Sequence, residues 1–288
     1  MYFYIFDPDK DKEQKYFERI QGKLLNLLAE LHIEGETYRV TAIRTIDLLV
    51  EQAIGANAKT LIIVGSDRSL NKAINAVVTK KTDITVGFIS LDPGSALGQI
   101  LGIPAEIEES VKILAGRLVR ELNLGKVAEH YFLSQIDLGE NSFSRIETPG
   151  LFGLGMMRLF LKMAPFALKI SLEDSYTATS EVLGAQIINC RSNVGCHLKL
   201  GDPTDKLLDV LFLHKLKFSQ IFRYRKELAS GCLENVPGTT VMHAKKIEIL
   251  GPKKLPLSIA GQIITKAPAV VTIAREKVKM IVGKGRQF

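Results

Sequence analysis

Two runs, residues 60–64 (Thr-Leu-Ile-Ile-Val) and 85–91 (Thr-Val-Gly-Phe-Ile-Ser-Leu), are apolar at nearly every position. A strand with one wet face alternates; an unbroken apolar run needs cover on both faces, as in a buried parallel sheet. The segments around them supply that cover. Residues 13–31 place Phe17, Ile20, Leu24, Leu27, Leu28 and Leu31 on one helical face. Residues 46–54 form a second helix, stopped by Gly55, and 70–78 a third. Residues 107–122 form another, with Val111, Leu114 and Leu118 inward. Residues 2–6 make a short strand closed by Asp7-Pro8, and 37–41 extend after Gly35 breaks the first helix. This β-α-β-α-β order predicts a parallel sheet with helices on both faces.

The pattern changes near residue 126. Short runs at 131–138, 166–172, 181–189, 195–200, 207–213, 245–250, 268–273 and 277–282 are separated by turn signals. Such spacing predicts an antiparallel β-sandwich, with one inserted helix at 156–163. The expected domains are 1–125 and 126–288, with the last strand free to return to the first. A length of 288 residues suits about two domains. With 46% hydrophobic and 24% charged residues, disordered and fibrous classes are excluded.

Lys and Arg total 38 against 31 Asp and Glu, a net charge of +7. The excess attracts polyanions: nucleotides, nucleic acid or anionic lipid. No aromatic-studded basic strand and no zinc-finger spacing is present, so a nucleic-acid partner is not expected. Three cysteines, Cys190, Cys196 and Cys232, are an odd number in a large chain. No disulfide framework is expected, and a cytoplasmic location fits, with peripheral membrane contact compatible. Asp7, Asp9 and Asp11 follow the apolar start directly, unlike a signal peptide. Residues 151–170 are apolar and Met-rich, but Arg158, Lys162, Pro165 and Lys169 interrupt them, so no spanning helix is expected.

Two loops carry the chemistry. After the strand at 60–64 comes Gly65-Ser66-Asp67-Arg68-Ser69-Leu70-Asn71, then helix. In open parallel sheets ligands bind where strand C-termini meet helix N-termini. Outward amides there suit a phosphate, and Asp67 could orient one through a metal. The competing reading is a capped helix, with Ser69 as cap and Ser66 and Asp67 shaping the turn. After the next strand comes Ser90-Leu91-Asp92-Pro93-Gly94-Ser95-Ala96-Leu97-Gly98. Neighbouring small-residue loops make a cleft; a plain turn tipped by Asp92-Pro93-Gly94 is the alternative.

Residues 65–75 resemble the Gly-Gly-Asp-Gly-Thr-Leu-Asn-Glu-x-x-Asn signature of the diacylglycerol kinase catalytic-domain family. Gly87-Phe88-Ile89-Ser90-Leu91 through Leu101-Gly102-Ile103-Pro104 align with that family's second segment. Residues 2–8 resemble its first strand and Asn-Pro turn. Leu124-Gly125-Lys126-Val127 with Tyr131-Phe132-Leu133, then Asn189 and Gly195, then Asp205-Lys206-Leu207-Leu208-Asp209-Val210, are similar to its later motifs in order. The resemblance implies a Rossmann-like α/β nucleotide domain, related to NAD kinase, followed by a β-sandwich. It implies transfer of the γ-phosphoryl of ATP to a lipid hydroxyl with Mg²⁺. Carried over by position, Thr41, Gly65, Ser66, Asp67, Arg68, Ser69, Asn71, Gly94 and Ser95 would line the nucleotide. Asp202, Asp205 and Leu207 would hold the metal. A nucleotide and a lipid or membrane surface are the partners implied, and a homodimer is compatible with it.

The departures fall on the chemistry. Ser66 and Arg68 stand where the family has glycine, and Asp92-Pro93 where it has Gly-Thr. Arg68 would either obstruct the phosphate or donate to it. Its late Asp-Gly-Glu, linked to base and metal roles, is here Ala260-Gly261-Gln262. Neither Ala260 nor Gln262 can accept a proton at neutral pH, leaving the catalytic base unidentified; Glu248 and Asp174 are candidate substitutes. Two functions stay open: a lipid kinase working with altered residues, and a non-catalytic protein that keeps a nucleotide or lipid pocket.

Overall fold

The computed structural model describes residues 1–8, 14–139, 160, 163–193 and 196–288. The helix expected at 156–163, with Arg158 and Lys162, lies outside these apart from Phe160 and Met163, as does Gly195. The chain forms two compact units, Met1–Leu122 with Glu276–Phe288, and Asn123–Arg275.

In the first unit, β1 (Tyr2–Phe6), β2 (Gly35–Arg39), β3 (Thr60–Gly65) and β4 (Thr85–Ser90) are all parallel, in spatial order β2-β1-β3-β4. Every residue of β3 and β4 is buried, as their apolar runs require. Helices α1 (Gln14–Glu30), α2 (Ile46–Gly55), α3 (Asp67–Thr79), α4 (Ala96–Leu101) and α5 (Ile107–Gly116) connect and cover them. Gly35, expected to end a helix, instead opens β2, where an added Cβ would overlap the Tyr2 carbonyl. The helix expected to reach 122 stops at Gly116, because Arg117 turns left-handed at φ 46°. Leu118, expected on its inward face, lies past the helix end, directly before β5 (Val119–Val127). Near the C-terminus, Lys279 and Met280 pair parallel with Thr85 and Val86. The tail then donates from Gly283 N to Leu101 O (2.8 Å) and from Gln287 N to Ile100 O (3.0 Å), closing the free carbonyl end of α4.

The second unit is mainly antiparallel: β6 (His130–Phe132), β7 (Gln135–Leu138), β8 (Phe166–Leu172), β9 (Tyr176–Ile188), β10 (Leu208–His214), β11 (Thr239–Ala244), β12 (Lys246–Gly251), β13 (Pro256–Ile259), β14 (Gln262–Lys266) and the first part of β15 (Ala269–Ile281), whose end belongs to the first unit. The 13-residue β9 is the joint. Its first half pairs with β8, and its second half pairs with β10 and β7. One apolar core includes Phe132, Ile136, Leu168, Ile187, Val210, Ile247 and Val271.

Several expectations are corrected here. Residues 196–200 form no strand; Asn193 binds Leu200 N and Leu200 O with its side-chain amide and holds them as a loop. The separate strands expected at 268–273 and 277–282 are one strand, β15. Two short helices, α6 (Phe218–Arg223) and α7 (Arg225–Ser230), were not expected. Their signal was present in Ile221 and Leu228, which bury beside Leu216 and Leu233 at helical spacing. The cysteines also differ from expectation: Cys196 and Cys232 form a disulfide, and Cys190 alone is free and buried. A cysteine count holds no information about which chain segments the fold brings together; here the 36-residue separation is closed by the loop after β9 and the turn after α7. No helix among the described residues is long and apolar enough to cross a membrane.

Candidate functional site

In the strand order β2-β1-β3-β4 the chain leaves β1 in one direction for β2 and returns on the other side for β3. That reversal opens a crevice at the carboxyl ends of β1 and β3, where open α/β sheets place ligands. Asp7, Thr41, Gly65 and Ser90 all stand at or just beyond the carboxyl ends of these parallel strands. Gly65 is needed there, because a Cβ would sit 3.1 Å from both the Asp7 carbonyl and the Ser69 hydroxyl.

Ser66 caps α3, with a reciprocal capping box: its Oγ accepts from Ser69 N (3.3 Å), and Ser69 Oγ accepts from Ser66 N (3.4 Å). Ser69 Oγ also donates to Asp7 Oδ2 (2.6 Å), tying the α3 loop to the end of β1. Thus the residue expected as cap, Ser69, is the third helical residue, and Ser66 is the cap. Both the capping reading and the crevice reading describe the same loop.

Asp67 joins the two loops. Its carboxylate accepts from Ser95 Oγ and from Leu97 N (3.1 Å). Ser95 Oγ in turn accepts from Gly98 N (2.8 Å) and caps α4. The first amides of α4 are therefore already engaged. Burial raises the Asp67 carboxyl above its ordinary range; hydrogen bonds from Ser95, Leu97 and Ala96 oppose that, and Asp92 adds to it. Asp67 reads as a strut between loops more than as an open metal ligand.

The amides of Asp67 and Arg68 make no hydrogen bond among the described residues, and they sit in the first turn of α3. The Arg68 side chain is exposed and forms no ion pair among the described residues. Asn71 is buried one turn further, and its Oδ1 has no partner among the described residues. Thr41 closes its own turn by accepting from Arg44 N (3.0 Å). Gly94 N donates to Asp92 Oδ1 (2.9 Å), which folds the second loop onto itself. The list carried over by position omitted Asp7, whose partner Ser69 lies 62 residues away. Its place directly after β1 was the available signal.

The remaining positions lie in the second unit. Asp202 Oδ1 accepts from Thr204 N (2.8 Å), Asp205 Oδ1 accepts from Leu207 N (2.8 Å), and Asp205 N donates to Asp202 O (3.3 Å). These are tight-turn bonds, with Lys206 left-handed at φ 63°. Burial raises the Asp205 carboxyl, and Asp202 and Asp209 raise it further. Asp209 receives Gly201 N (2.6 Å) and faces His243 Nδ1 (2.5 Å). Oxygen donors of this kind are what a hard divalent cation takes, and both carboxylates here accept from backbone amides of their own turn. Ala260 and Gly261 form the two-residue turn between β13 and β14, both at positive φ (47° and 74°), where Ile259 pairs Gln262. That geometry is a type I′ hairpin, which favours Asn, Asp or Gly. Ala260 and Gln262 are exposed and carry no carboxylate. Of the substitutes, Glu248 binds Lys246 (2.9 Å), and Asp174 binds the same Lys246 (2.6 Å). Among the described residues the group of potential metal ligands with atoms within 4.8 Å of one another is Cys196, Cys232 and Glu234, two of which are already bonded as cystine.

Comparison with known proteins agrees with this layout. Residues 4–127 match the diacylglycerol kinase catalytic domain. A diacylglycerol kinase of Staphylococcus aureus (strain MRSA252) is 27% identical over 275 residues, covering 92% of this chain and 87% of that protein. A second, from strain bovine RF122 / ET3-1, is 23% identical over the same span. The crystal structure of a diacylglycerol kinase from Bacillus anthracis str. Sterne superimposes with a TM-score of 0.75 at 15% identity, covering 99% of this chain and 97% of that one, which shows a shared fold. Residues 4–127 are thus similar to the diacylglycerol kinase catalytic domain, and the likeness to whole diacylglycerol kinases runs along nearly the entire chain.

Proposed function

We propose that the crevice at β1 and β3 binds the phosphates of ATP, and that the chain transfers the γ-phosphoryl group to a lipid hydroxyl at low turnover. The observation that carries the binding is the first turn of α3: two open amides, a positive dipole end and the unpaired guanidinium of Arg68. Gly65 keeps the approach clear, and the orphan Asn71 Oδ1 offers an acceptor to a hydroxyl or amine of the ligand. Asp67 and Ser95 hold the two loops in register. Asp202, Asp205 and the Leu207 carbonyl would hold Mg²⁺, which supplies charge neutralisation in phosphoryl transfer.

The low turnover follows from Ala260 and Gln262. With no carboxylate on that turn to take the hydroxyl proton, a loss of about 10²–10⁴ in rate is expected. This same observation supports the second reading, a non-catalytic protein that retains the nucleotide or lipid site. A cytoplasmic setting accords with kinase use of ATP, whereas the Cys196–Cys232 pair argues for an oxidising one.

Two measurements separate the readings. Mg-ATP at millimolar concentration should raise the melting temperature, and Arg68→Ala should reduce that rise; no rise in the folded protein refutes the nucleotide site. Radiolabelled phosphate should pass from ATP to a lipid of a total extract, and Ala260→Asp with Gln262→Glu should increase it. Nucleotide binding with no labelled lipid in either form would establish the second reading.

A further inference from the structure

We propose that the outer face of α6 and the turn into α7 dock on an anionic lipid bilayer. The helix is short and has two faces of different kinds. Ile221 turns inward, 1% exposed, into the core that also holds Leu216, Leu228, Leu233 and Val236. Phe218 and Phe222, four residues apart and so on one side, are 60% and 55% exposed. Ile221 with its buried neighbours anchors the helix from inside, so the exposed aromatic pair is not part of that core.

The charges around that pair share one sign. Lys215, Lys217, Arg223, Arg225 and Lys226 fall within twelve residues, and no acid occurs before Glu227. None of the five forms an ion pair among the described residues. The Arg225 guanidinium lies 4.9 Å from the Phe222 ring centroid and donates to the Phe222 carbonyl (3.0 Å). The Arg223 guanidinium lies 5.7 Å from the Tyr224 ring. Aromatic rings flanked by basic groups are what an anionic bilayer binds: rings at the headgroup boundary, cations on lipid phosphates. A second copy of this chain is a poor occupant, because a two-fold contact would set this cationic face against itself. This inference stands whether or not the crevice at β1 and β3 binds ATP.

Co-sedimentation of the whole chain with vesicles tests it without nucleotide. Vesicles of phosphatidylcholine with one-third phosphatidylglycerol should carry the protein down at low salt, and phosphatidylcholine alone should not. Phe218→Ser with Phe222→Ser should weaken partitioning by about tenfold or more at unchanged melting temperature. Lys215→Gln with Lys217→Gln should weaken it about fivefold per cation, and high salt should do the same. Binding that ignores phosphatidylglycerol, or variants that partition like the parent chain, overturns the proposal. So does light scattering that shows a dimer dispersed by the Phe substitutions, which would assign the face to a second copy.

Discussion

Truncating Asp67 probes the one side chain that links both loops of the crevice. In Asp67→Ala the Ser95 hydroxyl and the Leu97 amide lose their acceptor. Hydrogen bonds to a charged group are worth about 1.5–3 kcal/mol each. Part of that is offset, because burial already disfavours the ionised carboxyl and water can reach a part-buried loop. The net cost is therefore about 1–3 kcal/mol, borne by the first unit. Ser95→Ala removes the same bond from the other side, so the pair should not be additive, with a coupling of about 1 kcal/mol. The chain has no tryptophan, so urea unfolding is followed by far-ultraviolet circular dichroism. Hydrogen exchange over residues 92–104 reads the local effect. The α4 amides should exchange about tenfold faster for each 1.4 kcal/mol lost. Additive single changes, or exchange altered nowhere in that segment, would refute the strut.

The same carboxyl gives a pH signature. Its folded pKa is raised above the unfolded value, so stability from it is fully present below about 3.9 and declines as pH rises through the raised value; the parent chain should lose stability relative to Asp67→Asn across that window in acid titrations followed by circular dichroism. Ala260 is held left-handed at φ 47°, so Ala260→Asn should stabilise by about 0.5–1 kcal/mol in urea unfolding. Gly283→Ala would drive a Cβ into the Gly102 carbonyl and should cost about 3 kcal/mol, read as a lower melting temperature. Reduction of Cys196–Cys232, which closes a loop across 36 positions, should lower stability by about 3–4 kcal/mol, and Cys232→Ser should be insensitive to reductant.

The parallel half of this protein was legible in its sequence because burial on two faces leaves a continuous apolar trace, as in residues 60–64 and 85–91. The small-residue loops and the presence of a cap before α3 are local too, so they could be read before any contact was known, although the cap fell on Ser66 and not on Ser69. The antiparallel half was legible only as a class. Strand limits there depend on partners far along the chain: β9 runs to 13 residues because β8, β7 and β10 each pair with part of it. The tertiary structure alone decided that Asp67 braces α4, that Asp7 receives Ser69 from 62 residues away, and that Cys196 meets Cys232. It also decided that Arg68 faces solvent and that Phe218 and Phe222 lie outside while Ile221 lies within. Periodicity and capping are encoded within a few residues, whereas side-chain partners across tens of residues depend on how strands order themselves in the folded chain.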